Sequence, residues 1–357
     1  WAFASNALAA LTSPLLFGAL ADRLAAPGRV LRWLAGAAVG LTLLASWAVE
    51  RRASPAVVFT LILLHALAVV PSWSLLYSLA LGRLKDARRE FGPVRSMGTL
   101  GWVAGCLVIS LIQADASTRA GLAGAGLWVV LVLLLGGQTA AGVVPERRVL
   151  TVRQRLGLDA LALLRHADHR VVFLTACLIS IPLAAFYPMT PLHLRDLGLQ
   201  HTSAWMSLGQ VTEVVAMFAL ARLLGWFRLK TIFACGLGFA FFRYFLCTLD
   251  GTGWVLTGVS LHGFAFTLFF ITAPIYLNER VEEAWRARAQ ALMSLMTMGV
   301  GNLVGYLGTG WWRAQCSTGT EMNWSRFWGG LTVAVAAVGV YFLVAYRGRR
   351  TTETAAD

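Results

Sequence analysis

Cysteine is scarce in this sequence. The 357 residues include five cysteines, and no two of them have a CxxC or other paired spacing. Cys106, Cys177, Cys235 and Cys247 lie within apolar runs, and Cys316 lies between two such runs. Thiols in apolar segments behave as small hydrophobic side chains. Neither a disulfide framework nor a zinc site is therefore expected.

Charged side chains are also scarce. Asp, Glu, Lys and Arg together make up 13% of the residues, whereas 58% are hydrophobic and the mean hydropathy is +0.67. This balance excludes an ordinary soluble domain and is typical of a membrane protein.

What the sequence has instead is a series of long apolar runs. Each run has roughly 18 to 28 residues, the length that an α-helix needs to cross about 30 Å of hydrocarbon. We predict eleven membrane-spanning helices. They lie at residues 1–21, 30–49, 54–82, 94–113, 119–144, 171–193, 203–225, 231–249, 254–277, 287–312 and 324–346.

The basic residues indicate the orientation of these spans. Of the 30 Lys and Arg residues, 22 fall in loops on one side of the predicted membrane and six on the other. Cytoplasmic loops carry the excess of such cations. The side with 22 cations, which includes the C-terminus, is therefore expected to be cytoplasmic. The net charge of +13 is interpreted as a topology signal beside anionic lipid, and not as nucleic-acid binding.

The longest polar interruption divides the spans into five and six. We assign residues 1–144 to an N-terminal half, 145–170 to a basic cytoplasmic linker, 171–346 to a C-terminal half and 347–357 to a cytoplasmic tail. Secondary transporters are commonly built from two related halves with the solute site between them. The pattern therefore predicts a parent with six helices in each half, whose first helix is missing, and Trp1 favours a trimmed sequence.

Two polar residues lie deep in the seventh predicted span. Glu213 is the only carboxylate well inside a span, and Gln210 precedes it by three residues, so both share one helix face. Ionisable residues at membrane depth mark transport pathways by default. We therefore predict that this pair binds a solute and that Glu213 exchanges a proton. The alternative is that both side chains only join helices through hydrogen bonds.

Two further groups of side chains have spacings that suit a solute. Arg95, Thr99 and Trp102 follow i, i+4, i+7 in the fourth predicted span and offer a guanidinium, a hydroxyl and an aromatic plane. His262 and Phe266 form an i, i+4 pair in the ninth span. Alternatively, Arg95 extends to the lipid headgroups and His262 makes only an interhelical hydrogen bond.

Other ionisable residues give weaker indications. Arg243 is the deepest arginine of the second half, and the sequence leaves open whether it pairs with Glu213 or with a carbonyl at a helix end. His166 and His169 are spaced for a metal on one helical turn, but no third ligand is near in the sequence. No metal site and no cofactor are therefore expected.

The first short loop resembles a family signature. Gly18, Asp22 and Arg23 match the G-x-x-x-D-R motif of the major facilitator superfamily, which falls between that family's second and third helices. The resemblance implies that the first span here corresponds to the family's second. It also implies a latch for one conformation, because an aspartate at a helix end accepts hydrogen bonds from arginine or from a neighbouring helix N-terminus.

Six motifs, in order and in matching spans, resemble the nucleoside:proton symporter family of that superfamily. They are Val94–Trp102, Gln210–Glu213, Gly225–Lys230, Phe242–Tyr244, Leu261–Phe266 and Arg288–Gln290. The resemblance covers nearly the whole sequence. It implies that Arg95, Thr99, Trp102, Gln210 and Glu213 bind nucleoside. It further implies that Phe266 contacts the ligand and that Glu213 couples the proton.

The sequence departs from this family at three places. The family's seventh helix carries amide side chains that face the ligand, whereas residues 183–191 contain none. Thr267 stands where the family usually has an aspartate, and His262 stands where it has a tyrosine. These departures bear on the identity of the solute more than on the fold.

Together these features predict an all-α polytopic membrane protein with the two-half helical bundle of the major facilitator superfamily. The loops lack the clustered His, Asp or Cys groups that an enzyme would need. The predicted function is proton-coupled import of nucleosides by alternating access, carried out by a monomer in an inner membrane of bacterial type. Two alternatives stay open. One is transport of another small polar solute, such as a sugar, polyol or drug-like compound, and the other is a membrane protein of this fold that no longer transports.

Overall fold

Helices make up nearly all of the part of the chain that the structure describes. The computed structural model describes residues 2–21, 27–81, 87–136, 151–156, 158–319 and 321–348. Its α-helices are α1 Ala4–Ala21, α2 Pro27–Glu50, α3 Pro55–Leu81, α4 Ala87–Leu111, α5 Arg119–Gly136, α6 Val152–Arg155, α7 Ala167–Leu183, α8 Phe186–Asp196, α9 Thr202–Trp226, α10 Leu229–Thr248, α11 Thr252–Phe266, α12 Thr272–Arg280, α13 Glu283–Ser294, α14 Asn302–Cys316 and α15 Trp324–Ala345. A short antiparallel pair, β1 Ser317–Thr318 and β2 Glu321–Met322, joins α14 to α15.

The membrane spans can be compared with the prediction one by one. Among the described residues, nine helical stretches are long and apolar enough to cross a membrane, and they correspond to nine of the eleven predicted spans. The other two predicted spans, 1–21 and 94–113, overlap α1 and α4, and the apolar part of α4, Ser96–Leu111, is shorter than a membrane-spanning helix needs. The count of eleven therefore stays a prediction.

Local sequence explains where several helices begin and end. Pro27 and Pro55 are the first residues of α2 and α3, where the missing N–H of proline removes no helical hydrogen bond. The side chain of Asn323 accepts a hydrogen bond from the backbone N–H of Arg326 at 2.8 Å and so caps α15. Gly198, with φ of +83°, follows α8 in the left-handed conformation that often ends a helix.

The chain forms two compact units. Unit 1 consists of Trp1–Gly98 and Val108–Arg155, and unit 2 consists of Thr99–Leu107 and Leu156–Asp357. Within unit 1, α2 packs against α3 and α5, and α1 packs against α3. The contact of α2 with α5 needs a small residue, because a Cβ on Gly121 would collide with the hydroxyl of Ser46.

The predicted linker and latch fall partly on described residues. The linker region, 145–170, contains α6 and a 3₁₀-helix at Leu158–Arg165, whereas residues 145–150 and 157 lie outside the described residues. Of the predicted latch, Gly18 lies in α1, and Asp22 and Arg23 lie outside the described residues.

Unit 2 has an aromatic core. Within it α10 packs against α11 and α15, α9 packs against α11, and α7 packs against α14 and α15. The side chains that these helices bury together include Phe233, Tyr244, Phe269, Trp328 and Phe342. These large apolar surfaces fix the helices that carry the polar residues described below.

Three helices of unit 2 are interrupted. Pro182 removes a backbone donor, and its ring crowds the carbonyl four residues earlier, so α7 ends at Leu183 and α8 begins at Phe186. The helix continues from α11 to α12 through a π-helical turn at Thr267–Ile271, and from α13 to α14 through a π-helical segment at Leu295–Gly301. Such turns occur frequently at functional sites.

Candidate functional site

A carboxylate and a hydroxyl from distant parts of the sequence meet in unit 2. The Oγ1 of Thr99 on α4 donates a hydrogen bond to Oε1 of Glu213 on α9 at 3.3 Å. The hydroxyl of Thr267 donates to the backbone carbonyl of Glu213 at 3.4 Å. Glu213 is only 6% exposed. The structure therefore holds this carboxylate away from bulk solvent and beside a side chain that can donate to it.

Gln210 lies one turn before Glu213 on the same helix and contacts a different partner. Its Nε2 donates to the hydroxyl oxygen of Tyr187, on α8, at 3.3 Å. Gln210 is 3% exposed, and its Oε1 has no hydrogen-bond partner among the described residues. A buried amide oxygen without a partner is unusual, since most buried polar atoms are paired.

His262 is held by an arginine. The Nη1 of Arg243 lies 2.6 Å from Nδ1 of His262, and the Nε2 of His262 lies 3.3 Å from the hydroxyl oxygen of Tyr187. Arginine can only donate hydrogen bonds, so Nδ1 must accept, and the ring proton resides on Nε2. His262 is therefore neutral and donates to Tyr187.

The pairing of Arg243 differs from both possibilities left open by the sequence. Among the described residues, the Nε and Nη2 of Arg243 have no hydrogen-bond partner. These atoms therefore bond neither to Glu213 nor to a carbonyl at a helix end. The guanidinium lies over the rings of Phe186 and Tyr244, 4.9 Å and 4.3 Å from their centroids. The close approach of α10 and α11 brings the imidazole of His262 into reach instead.

Aromatic rings surround the polar groups. The ring of His262 stacks on Phe186 with a centroid distance of 4.1 Å and an interplanar angle of 4°, and Phe266 lies 5.9 Å away on α11. Trp102 lies 5.8 Å from the ring of Tyr187 and is 48% exposed. The indole of Trp102 offers an aromatic surface on which a flat ring can stack.

The contact of α9 with α11 fixes these positions. A Cβ on Gly263 would collide with the backbone nitrogen of Glu213 and with the hydroxyl of Thr212. A Cβ on Gly209 would lie 3.1 Å from Cβ of His262. Because both glycines lack a side chain, the two backbones approach closely and hold the carboxylate and the imidazole in fixed relative positions.

Most of the site residues predicted from the sequence lie together in unit 2. Those with described side chains are Thr99, Trp102, Gln210, Glu213, His262 and Phe266. Arg95 lies in α4, and its side chain is outside the described part of the chain.

Tyr187 is a site residue that the sequence did not predict. Its segment, residues 183–191, has none of the amide side chains that the resemblance leads one to expect there. A tyrosine within a membrane span has a hydroxyl that needs a partner. That requirement was the available signal.

Comparisons with known proteins give a consistent result. The family model described as "Nucleoside H+ symporter" matches residues 1–351. The chain is 29% identical to YegT of Escherichia coli (strain K12) over 97% of this chain and 85% of YegT. It is 25% identical to the nucleoside permease NupG of the same organism over 91% of this chain and 82% of NupG. It is 24% identical to the xanthosine permease of that organism, over 91% of this chain and 82% of the permease.

Solved structures agree on the fold. A crystal structure of a NupG variant superposes with a TM-score of 0.88 and 22% identity, and covers 97% of this chain and 90% of NupG. A second NupG structure gives a TM-score of 0.82 with 23% identity, over 97% of this chain and 89% of NupG. The predicted fold class, an all-α membrane protein of the major facilitator type, is confirmed.

The same comparisons decide the broad class of activity. The relatives are permeases and the family is one of symporters, so the protein is a secondary transporter and not an enzyme. The long apolar helices agree with an integral membrane protein. The chain belongs to the nucleoside H+ symporter family.

Proposed function

We propose that this protein imports nucleosides together with protons by alternating access, and that the solute binds at the polar cluster of α4, α8, α9 and α11. The single observation that carries the proposal is the buried carboxylate of Glu213 bonded to the hydroxyl of Thr99. Family membership supports nucleoside and proton as the two substrates.

Glu213 is the group that couples the proton. A carboxylate in an apolar interior is costly when it is charged, unless a cation or several donors compensate the charge. Because burial and nearby charges both shift the balance between the charged and the neutral form, a carboxyl group at this position can take up or release a proton when its surroundings change during transport. Glu213 takes up its proton on the side where the nucleoside binds and releases it on the other side after the protein has changed conformation.

The remaining predicted residues bind the solute. Thr99 and Gln210 offer hydrogen bonds to sugar hydroxyls and base atoms, and Trp102 and Phe266 offer aromatic surfaces for the base. Arg95 and His262 complete the set that we propose from the sequence. The resemblance to the nucleoside:proton symporters supports this assignment.

We also propose an arrangement in the membrane. The excess of 22 basic residues on one predicted side supports a cytoplasmic linker and C-terminus, in an inner membrane of bacterial type. As expected from the sequence, we propose that the protein acts as a monomer. Gly18, Asp22 and Arg23 latch one of the two conformations.

The test is an uptake assay in bacterial cells that lack their own nucleoside permeases. Cells that express the full chain are given labelled uridine or adenosine, with and without a proton uncoupler. We expect uptake that the uncoupler abolishes. Glu213→Gln keeps the size of the side chain but cannot release a proton, and it should lower uncoupler-sensitive uptake at least about 100-fold, within the range that general acid–base groups contribute.

Glu279→Gln is the matched control. Glu279 is an exposed carboxylate at the end of α12, and the same chemical change there should leave uptake within about twofold of the unmodified protein. Full uncoupler-sensitive uptake by the Glu213→Gln variant would contradict the coupling role. Absence of nucleoside uptake from a folded protein would contradict the function itself and favour another solute.

A further inference from the structure

The hydroxyl of Tyr187 already has two donors directed at it. Gln210 Nε2 and His262 Nε2 each lie 3.3 Å from that oxygen. His262 donates through Nε2 because Arg243 occupies Nδ1 at 2.6 Å. A phenolic oxygen has room for two incoming hydrogen bonds, so the remaining bonding direction of Tyr187 is its own O–H proton.

That proton has a counterpart nearby. The Oε1 of Gln210 is buried and has no partner among the described residues. An unused donor on Tyr187 and an unused acceptor on Gln210 therefore lie side by side, joined by the bond between the two side chains. Such a pair matches a ligand edge that carries an acceptor next to an N–H donor.

The neighbouring surfaces indicate which part of a nucleoside has this edge. Trp102, 5.8 Å from Tyr187, presents a half-exposed aromatic face. A flat base can stack there. Glu213, one turn after Gln210 on α9, and Thr99 on α4 offer a carboxylate and a hydroxyl, which suit the hydroxyl groups of a ribose. These surfaces favour a base at Tyr187 and a ribose at Glu213.

We propose that Tyr187 is a specificity-determining residue that donates its hydroxyl proton to a carbonyl oxygen of the nucleoside base, with Gln210 accepting the adjacent N–H. This inference rests on the proposed function. It adds that Tyr187 on α8 recognises a carbonyl group of the base. His262 acts as a positioning residue, since its donated hydrogen bond directs the Tyr187 proton toward the ligand.

Replacing one oxygen of the ligand tests the bond directly. Uridine, 2-thiouridine and 4-thiouridine have nearly the same shape, but a thiocarbonyl sulfur is a weak hydrogen-bond acceptor. We would measure the inhibition constant of each compound against uptake of labelled uridine. The unmodified protein should bind one of the two thio compounds about tenfold more weakly than uridine, the loss expected for one hydrogen bond.

Tyr187→Phe removes only the hydroxyl. The variant should bind uridine about tenfold more weakly than the unmodified protein. The inhibition constant of the weaker thio compound divided by that of uridine, here called the thio-to-uridine ratio, should fall to about 1, because loss of the hydroxyl and loss of the ligand oxygen remove the same bond. Tyr341→Phe on α15 is the control, and its ratio should equal that of the unmodified protein. His262→Phe keeps a flat ring but loses the donated proton, and an unchanged ratio in this variant would overturn the positioning role.

The outcomes separate the two proposals. If uridine is transported but the unmodified protein does not distinguish either thio compound, the role of Tyr187 is overturned and the proposed function stands. The role of Tyr187 is also overturned if the Tyr187→Phe variant has the same thio-to-uridine ratio as the unmodified protein. That result is expected if the Gln210 amide is rotated and its oxygen accepts the Tyr187 proton. If no nucleoside is transported or competes, both proposals are overturned.

Discussion

Two buried histidines of unit 2 have the same protonation and different surroundings. In both rings a neighbour that can only donate occupies Nδ1, namely Arg243 for His262 and Trp328 for His193, the latter at 2.9 Å. Both rings are therefore neutral and carry the proton on Nε2. The Nε2 of His193 lies 2.8 Å from a carboxylate oxygen of Asp250.

The difference lies in where the hydrogen bonds end. The bonds of His193 end at Asp250, whose side chain is 48% exposed and so completes its bonding with solvent. The bonds of His262 end at Tyr187 and Gln210, which keep a donor and a buried acceptor that no other described residue satisfies. A buried histidine is thus not by itself the sign of a site. The sign is a network that is incomplete without a ligand.

We call the hydrogen bonds of His262, Tyr187 and Gln210 the open network. The largest expected effect comes from separating α9 and α11, which support it. Gly263→Ala would place a methyl group against the backbone nitrogen of Glu213 and the hydroxyl of Thr212. The backbone nitrogen cannot move away without shifting α9, so we expect a loss of about 3 kcal/mol in the free energy of unfolding. Thermal unfolding in detergent, together with uridine uptake, measures this effect.

Gly238→Ala is the comparison for this change. Gly238 lies in α10 with no heavy atom within 4 Å of an added Cβ among the described residues. Alanine favours a helix by about 1 kcal/mol over glycine, so this variant should unfold at the same or a higher temperature. An unfolding temperature of Gly263→Ala equal to that of the unmodified protein would contradict the close contact of α9 and α11.

The parts of the fold that the sequence predicts well depend on local patterns. Apolar runs of sufficient length locate the nine spans that the described residues contain, because a helix in lipid satisfies its own backbone hydrogen bonds. The shared face of Gln210 and Glu213 follows from their spacing of three residues in a helix. Neither conclusion requires knowledge of which helices are neighbours.

The parts that it misses depend on how helices meet or on small changes within them. The sequence suggests one continuous helix at 171–193, whereas α7 ends at Leu183 and α8 begins at Phe186. This break places Tyr187 beside Gln210. The bond of Arg243 to His262 depends on Gly258, where an added Cβ would lie 2.7 Å from the Arg243 carbonyl. Hydropathy cannot detect such contacts, and it cannot detect the single extra residue of a π-helical turn.

We call the hydrogen bonds of Trp328, His193 and Asp250 the closed network. A smaller effect is expected from removing its histidine. His193→Ala leaves the N–H of Trp328 without its acceptor and removes the ring that stacks on Trp324 at 4.6 Å. We expect a loss of about 2 kcal/mol in the free energy of unfolding, the cost of one unsatisfied buried donor together with lost packing. The KM for uridine and the thio-to-uridine ratio should stay as in the unmodified protein. A tenfold change in KM would mean that this network also contacts the solute.

The smallest expected effect comes from the tyrosine next to Arg243. The hydroxyl of Tyr244 donates to the carbonyl of Pro182 at 2.7 Å in the buried core, so its proton is fully used within the protein. Tyr244→Phe should cost about 1 kcal/mol of folding free energy, the usual net value of one hydrogen bond. It should leave the thio-to-uridine ratio unchanged, whereas Tyr187→Phe changes the ratio. Both variants remove one phenolic hydroxyl. If the thio-to-uridine ratio falls in both, it reports a general loosening of the core. The distinction between open and closed hydrogen-bond networks would then be wrong.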